Sequence, residues 1–589
     1  MTARYSVGID LGTTNSVVAY SPLDSKTDLR RLMIPQVVGT DQIESRASLP
    51  SFLYLPREGE IASLRSPFGG DAANGVVGVY ARDQAAENPQ RVVAAAKSWL
   101  CHESAARTDA VLPWQSPPEI TKVSAQQCTQ RFLEHLVAAW NQAHADAPLA
   151  EQQVVLTVPA SFAPAARDLT REAAVAAGLP ETFLLLEEPQ AAVYHWLANE
   201  GERWRESLKP NDVLLVIDVG GGTTDLTLVT ASEQDGELNL QRLAVGNHVL
   251  LGGDNMDLAL AHFVSGRFSQ QGHQLDPWQS VSLWHACRDA KEKLLADDGP
   301  ETQTISVLGR GSSLIASTVS TEISKQEARD LVVEGFFPKC AAADRPERQA
   351  ASGFQDIGLP YESDAAITKH VAAFLSNQSE SPSQPTHVLF NGGVFRSEAL
   401  RRRMQETIED WSEQKPSVLG SPAELDVAVA IGAAFYGWSK QHGGVRIRGG
   451  TARSYYIGIE TAGLAIPGVP RPLRALCVAP QGMEEGSEAA VLDEQVGVMV
   501  GRPARFRFFA SSMRGDDKVG TAIDRWSEDE LVETEPITVC LTAETDTGES
   551  FLPVTFVSRV TELGMFELWC HSTTTDDKWK MEFNSRESE

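Results

Sequence analysis

SVGIDLGTTNSVVAY (6–20) and LLVIDVGGGTTDLTLV (214–229) are two copies of one design. In each, an apolar run ends at an aspartate, Asp10 or Asp218, a turn of glycine and threonine follows, and a second apolar run begins. The pattern predicts strand, turn, strand. A Walker A loop or a dinucleotide fingerprint would open a helix after its glycines, so both are excluded. Successive N–H groups in such turns form an anion-binding nest, and glycines let the backbone come close, so the pair suits phosphate. An aspartate at the strand end would repel phosphate directly and is expected to hold a hydrated Mg²⁺ that meets it. One such hairpin is ordinarily just a turn. Two matched copies roughly 200 residues apart suggest a duplicated α/β unit gripping the β- and γ-phosphates from both sides.

The flanking sequence fits layers of helix and largely parallel strand. EQQVVLTVPASFAPAARDLTREAAVAAGL (151–179) reads as a strand and an alanine-rich amphipathic helix, and TFLLLEEPQAAVYHWL (182–197) as a strand turning at Glu188–Pro189 into a helix. THVLFNGGVFRSEALRRRM (386–404) repeats the strand, Gly-Gly, helix order. ELDVAVAIGAAFYGW (424–438) is a small-residue helix that another backbone can approach. WHACRDAKEKLL (284–295) has helical spacing, Ser324 to Glu327 is a capping box, and SNQSESPSQP (376–385) is an exposed loop. From residue 454 the period changes to two. RFRFFAS, ITVCLTAE, FLPVTFVSRV, MFELWCHS and WKMEFN alternate apolar with polar residues, which predicts an antiparallel β domain of about 140 residues. The expected division is 1–440 and 441–589.

Composition narrows the partners. The chain has 589 residues and a formal net charge of -28, spread along its length. Nucleic acid and anionic membranes need a basic footprint, so neither is expected. The start, MTARYSVGID, is no secretory signal, and no apolar run reaches membrane-spanning length. Seven scattered cysteines with no CxxC pair imply reduced, mostly buried thiols in a cytoplasmic protein.

GIDLGTTNS, VPASF, EEPQAA, DVGGGTTD, LGGDNMD, NGG with Arg396, and AVAIGAA stand in the order found in the seventy-kilodalton heat-shock (DnaK-like) chaperones, and the chain resembles that family over about residues 5–437. The resemblance implies a duplicated actin-like ATPase fold, two lobes around a nucleotide cleft, plus a C-terminal antiparallel β domain. It implies ATP hydrolysis, with ATP/ADP and Mg²⁺ as ligands and K⁺ as an optional further ion. Lys97, Glu188, Asp225 and Thr223 match the catalytic positions, with Lys97 orienting the attacking water. Asp10 and Asp225 match the carboxylates that meet the metal through water. Gly12, Thr13, Thr14 and Asn15 match one phosphate loop, and Asp218, Gly220, Gly221 and Gly222 the other. Lys291 matches a lysine near the ribose, and Gly392, Gly393 and Arg396 the adenosine turn. Pro159 and Arg167 match positions that link nucleotide state to the neighbouring domain. Unfolded client proteins, a J-type co-chaperone and an exchange factor are the implied partners, and protein folding under stress the implied setting.

The sequence also departs from the family. Arg288 and Glu292 reverse the usual charges of the adenine-side helix, and Leu295 replaces a small hydroxyl. The boundary SKQHGGVRIRGG (439–450) is polar and glycine-rich where the family has an apolar linker. IGIETAG (457–463) resembles the start of the family's peptide-binding domain, but no helical lid is recognisable. Three readings follow: a chaperone-type ATPase, a nucleotide-gated module binding one dedicated partner with little turnover, and a sugar or metabolite kinase on the same fold. The motif set favours the first.

Overall fold

A computed structural model describes residues 3–583, apart from 25, 62, 71, 102–106, 115, 235–236, 248, 309–317, 348–361, 379–383, 444, 446, 449, 452, 461–471, 485, 500–503, 528–529, 540–550 and 562–564. Both hairpins form as the sequence predicts. Tyr5–Leu11 pairs antiparallel with Asn15–Pro22, and Val213–Val219 with Thr224–Gln234. Each sits inside a six-stranded sheet. Gln153–Val158 and Leu184–Glu187 extend the first sheet in parallel, and His387–Asn391 and Ser417–Leu419 extend the second in the same way. Parallel strands covered on both faces must be apolar throughout, and every residue of Val213–Val219 is buried.

Two helices cross between the sheets, Glu188–Glu200 and Ala428–His442. Their crossing needs the small residues read from the sequence. A Cβ on Gly432 would fall 1.8 Å from the Ala191 carbonyl oxygen, and one on Gly8 would fall 2.3 Å from that of Ala430. Val193, Tyr194, Ala433 and Tyr436 share one core with Val155, Leu214 and Val216 from the two sheets. The second helix starts later than the sequence suggested. Pro422–Glu424 is a separate 3-10 turn held by the Ser421 hydroxyl, and Glu424 reaches out to His195 at 3.1 Å. Ser324 and Glu327 form their expected capping box. Asp276 and Gln279 form another that the sequence reading passed over, starting the helix Pro277–Leu295.

From Ser454 the chain is β-rich: nine antiparallel strands run from Glu488–Met499 at one end of the strand order to Ala522–Ile523 at the other. Tyr455 stacks on Phe508 and Phe566 at its centre. Among the described residues no helix follows His442. The segment between the two regions is structured: Ile447–Arg448 joins the second sheet beside Glu237–Val245. Arg453 and Gln481 donate to the carbonyls of Gly246 and Leu243, and Met565 enters the core beneath the first sheet. The six described cysteines are free thiols, four of them buried, while Cys540 and residues 379–383 of the expected 376–385 loop lie outside the described residues. Among the described residues no helix is long and apolar enough to cross a membrane.

Candidate functional site

The two glycine–threonine turns meet. A Cβ on Gly221 would fall 2.2 Å from the Thr14 hydroxyl oxygen, so Gly12 to Asn15 and Gly220 to Thr223 lie against each other. Each turn is braced from outside. Ser51 donates through its hydroxyl to the Gly12 carbonyl at 2.7 Å and through its N–H to that of Thr14 at 2.9 Å. The second turn is tied to the start of helix Gly253–Gln270, where the N–H groups of Gly253 and Asp254 donate to the carbonyls of Gly220 and Gly221. These braces fix the direction of the remaining N–H groups, which is what an anion nest requires.

Five ionisable side chains gather at the strand ends beside the turns. Lys97 forms an ion pair with Glu188, both nearly buried. Asp10 accepts from the Thr157 hydroxyl at 3.3 Å, and Asp218 accepts from the Asn391 amide at 2.8 Å. Asp225 accepts from the Ser161 hydroxyl at 2.6 Å and from that of Thr223 at 3.2 Å. Four carboxylates thus share one ammonium. Burial, opposed by Lys97 and reinforced by the neighbouring carboxylates, pushes Glu188 up to about 8. Burial and the charges of Asp225 and Asp10 push Asp218 up to about 7 against the Asn391 hydrogen bond. Burial raises Asp10 as well. Burial disfavours the Lys97 ammonium, and Glu188 and Asp10 overcome it, leaving its pKa raised. The short Lys97–Glu188 contact speaks for an ionised glutamate and the raised Glu188 pKa against it; we take Lys97 as cationic and the cluster as short of positive charge.

That deficit is the chemistry a divalent cation suits. Among the described residues no three His, Cys, Asp or Glu side chains converge to hold a bare ion. Four carboxylates that share one ammonium fit a hydrated divalent cation met through water.

The Gly-Gly turn that the resemblance assigns to adenosine is built differently. Gly392, at φ 88°, allows the turn to pass under Val219, whose carbonyl oxygen would lie 2.2 Å from a Cβ there. Val394 from this turn and the Lys291 ammonium both stand by Gly253. Lys291 donates to the Gly253 carbonyl at 2.8 Å and pairs with Asp257 at 2.5 Å. Arg288 binds Asp254 and Asp257 and lies over the Phe52 ring at 5.7 Å. Burial opposes its charge, and the two aspartates more than compensate. Leu295 is buried in the core. Arg396 stands apart from the interior, exposed and paired with Asp426 at 3.3 Å.

Behind the site, Pro159 is buried and Arg167 donates to Glu187 at 2.8 Å. Glu187 also binds Arg242, which in turn donates to the Gly450 carbonyl. Burial would raise Glu187, but Arg242 and Arg167 hold it below the usual carboxylate range. Sequence reasoning missed Ser161, Asn391, Ser51 and Glu187. Ser161 and Asn391 sit inside motifs it had quoted, VPASF and NGG, but hydroxyl and amide partners of a buried carboxylate leave no period or spacing to read.

An α/β protein with paired phosphate-type turns over a buried acidic cluster is the class that fold and site define. Comparison with known proteins narrows it. The Hsp70 protein family model matches residues 68–336. The chain is 26% identical over 438 residues to the chaperone protein DnaK of Thermotoga petrophila, covering 73% of this chain and 59% of that protein. It is 28% identical over 440 residues to the HscA homolog of Cupriavidus necator, covering 73% of this chain and 57% of that protein. These matches support a divergent member of the Hsp70 family. The match spans about three fifths of the length of these relatives.

Proposed function

We propose that this protein is a Mg-ATP hydrolase of the heat-shock chaperone type, with an actin-like duplicated ATPase unit at 1–440 coupled to a β-rich protein-binding unit at 441–589. The observation that carries the reading is the buried pair Lys97–Glu188 set among Asp10, Asp218 and Asp225 where the two turns meet.

The N–H groups of Gly12 to Asn15 and of Gly221 to Thr223 bind the β- and γ-phosphates, while that of Gly220 closes its own turn on the Thr223 carbonyl. Phosphoryl transfer to water needs positioning and charge neutralisation more than covalent help. Glu188 holds the Lys97 ammonium so that it points a hydrogen bond at the attacking water, and Lys97 stabilises charge on the departing phosphoryl group. Ser161 and Thr223 fix Asp225, and Asn391 fixes Asp218. Magnesium, when bound, neutralises the phosphate oxygens. The chain Arg167–Glu187–Arg242–Gly450 runs through Glu187, the residue before Glu188, so a shift of Glu188 on hydrolysis moves a link that ends at the β-rich unit. An unfolded polypeptide is the proposed client.

The test is ATP hydrolysis by the full chain with and without a denatured protein. Slow turnover that rises with the denatured protein is expected. No response to it, with a tight complex to one native protein, would instead favour the partner-gated module. Absence of any heat of binding for ATP or ADP with Mg²⁺ would refute both readings.

A further inference from the structure

Ser98 follows Lys97 on the short helix Ala96–Leu100. Its side chain is 1% exposed, and among the described residues its hydroxyl has no hydrogen-bond partner. Buried hydroxyls are normally paired, so an orphan needs a reason. Its position supplies one. The Ser98 hydroxyl oxygen lies 2.4 Å from where a Cβ on Gly222 would stand, and Thr13 borders that same point at 3.2 Å. Ser98 therefore sits at the seam between the two turns, next in sequence to the lysine that pairs with Glu188. The other orphan hydroxyls, Ser116, Thr227 and Thr538, belong to neither turn.

We propose that Ser98 is a further phosphate-binding residue: its hydroxyl donates to an oxygen of the terminal phosphoryl group of a nucleoside triphosphate. The assignment rests on the nucleotide reading above. A hydroxyl pointing at an anion gains a charge-assisted hydrogen bond, which is stronger than one to a neutral acceptor. Lys97 is paired with Glu188 and directed at the attacking water, and Gly222 has no side chain, so the Ser98 hydroxyl adds a donor at this seam beside those of Thr13 and Thr14. The diphosphate product has no oxygen there, and the contact distinguishes triphosphate from diphosphate.

The experiment uses the full chain and measures, by calorimetry with Mg²⁺, the affinity for ADP and for a non-hydrolysable ATP analogue. Ser98→Ala should weaken the analogue about tenfold and leave ADP within about twofold. Ser98→Thr, which keeps the hydroxyl, should restore the difference. The nucleotide-free Ser98→Ala protein should melt at or above the wild-type temperature, because no internal hydrogen bond is lost. An unchanged ratio of analogue to ADP affinity in Ser98→Ala overturns the Ser98 assignment alone, as does a lower melting temperature with both ligands weakened equally. If the wild type binds neither ligand, the nucleotide reading falls and the Ser98 assignment falls with it.

Discussion

Two buried ionic clusters lie in the same molecule and are balanced in opposite ways. At the phosphate-type turns, Asp10, Asp218, Glu188 and Asp225 surround one cation, Lys97. On the adenosine side, Arg288 and Lys291 are matched by Asp254 and Asp257, with contacts of 2.8 and 2.5 Å to Asp257. In the second cluster each aspartate has a cation bound to it, whereas in the first four carboxylates share one. A charge deficit that a fold maintains at its own expense marks a place where something charged binds. A cluster that closes on itself marks structure. The same side-chain types therefore carry different functional weight, and the distinction can be broken by experiment.

The largest effect belongs to the compensated cluster. Arg288→Ala strands Asp254 and Asp257 in the interior and should lower stability by about 3–5 kcal/mol, read as an early urea midpoint. A midpoint near that of the wild type would show that the cluster is not self-contained. Next comes the lysine of the deficient cluster. Lys97→Ala should slow single-turnover ATP hydrolysis about 100-fold while ATP affinity stays within about threefold. Equal single-turnover rates would remove Lys97 from the chemistry.

How far the sequence reveals each cluster follows from local order. The hairpins, the strand-to-helix turn at Glu188–Pro189 and the crossing at Gly432 all carry a period, a motif or a small-residue pattern, and each forms where read. Asp10, Lys97, Glu188, Asp218 and Asp225 are named by resemblance, and they do come together. The adenosine side resisted reading. Arg288 looks like a charge reversal in sequence, and only the fold shows it neutralised by aspartates from the neighbouring helix. Arg396, named by resemblance as part of the adenosine turn, pairs at the surface with Asp426. Tertiary pairing of this kind joins residues far apart in the chain, for which local pattern holds no signal. Likewise, the polar boundary 439–450 gave no strand signal, yet Ile447–Arg448 pairs with the second sheet and Ile447 is buried in the core beside Leu240 and Tyr194.

A smaller effect tests the deficit itself. Asp218→Asn keeps a hydrogen-bond acceptor for Asn391 and removes one of four crowded charges. In nucleotide-free protein at pH 8, where the wild-type carboxyl is ionised, this should raise stability by about 1–2 kcal/mol while impairing hydrolysis. Lower stability in the variant would mean that the negative charge is compensated within the protein.

The smallest effect asks whether the rule holds away from either cluster. Asp168, on the helix Pro164–Ala176, faces the strands Phe566–Ser572 and Lys578–Phe583 of the β-rich region. Lys580 is its largest source of compensation, with Arg171 adding less, but Lys580 already pairs with Glu567 at 2.8 Å. Burial, eased by Lys580 and reinforced by Glu172 and Glu567, raises Asp168 from 3.8 to about 6. The folded protein therefore keeps a proton that the unfolded chain releases between these values. Stability from this group is fully present below the lower value and is lost as pH rises through the upper one. The wild type should be more stable at pH 5.5 than at pH 7.5 by about 1 kcal/mol from Asp168, and the pH difference in urea midpoint should shrink by that amount in Asp168→Asn. If the difference stays the same, Asp168 is compensated at this contact, and an unbalanced buried charge no longer separates the ligand site from the rest of the molecule.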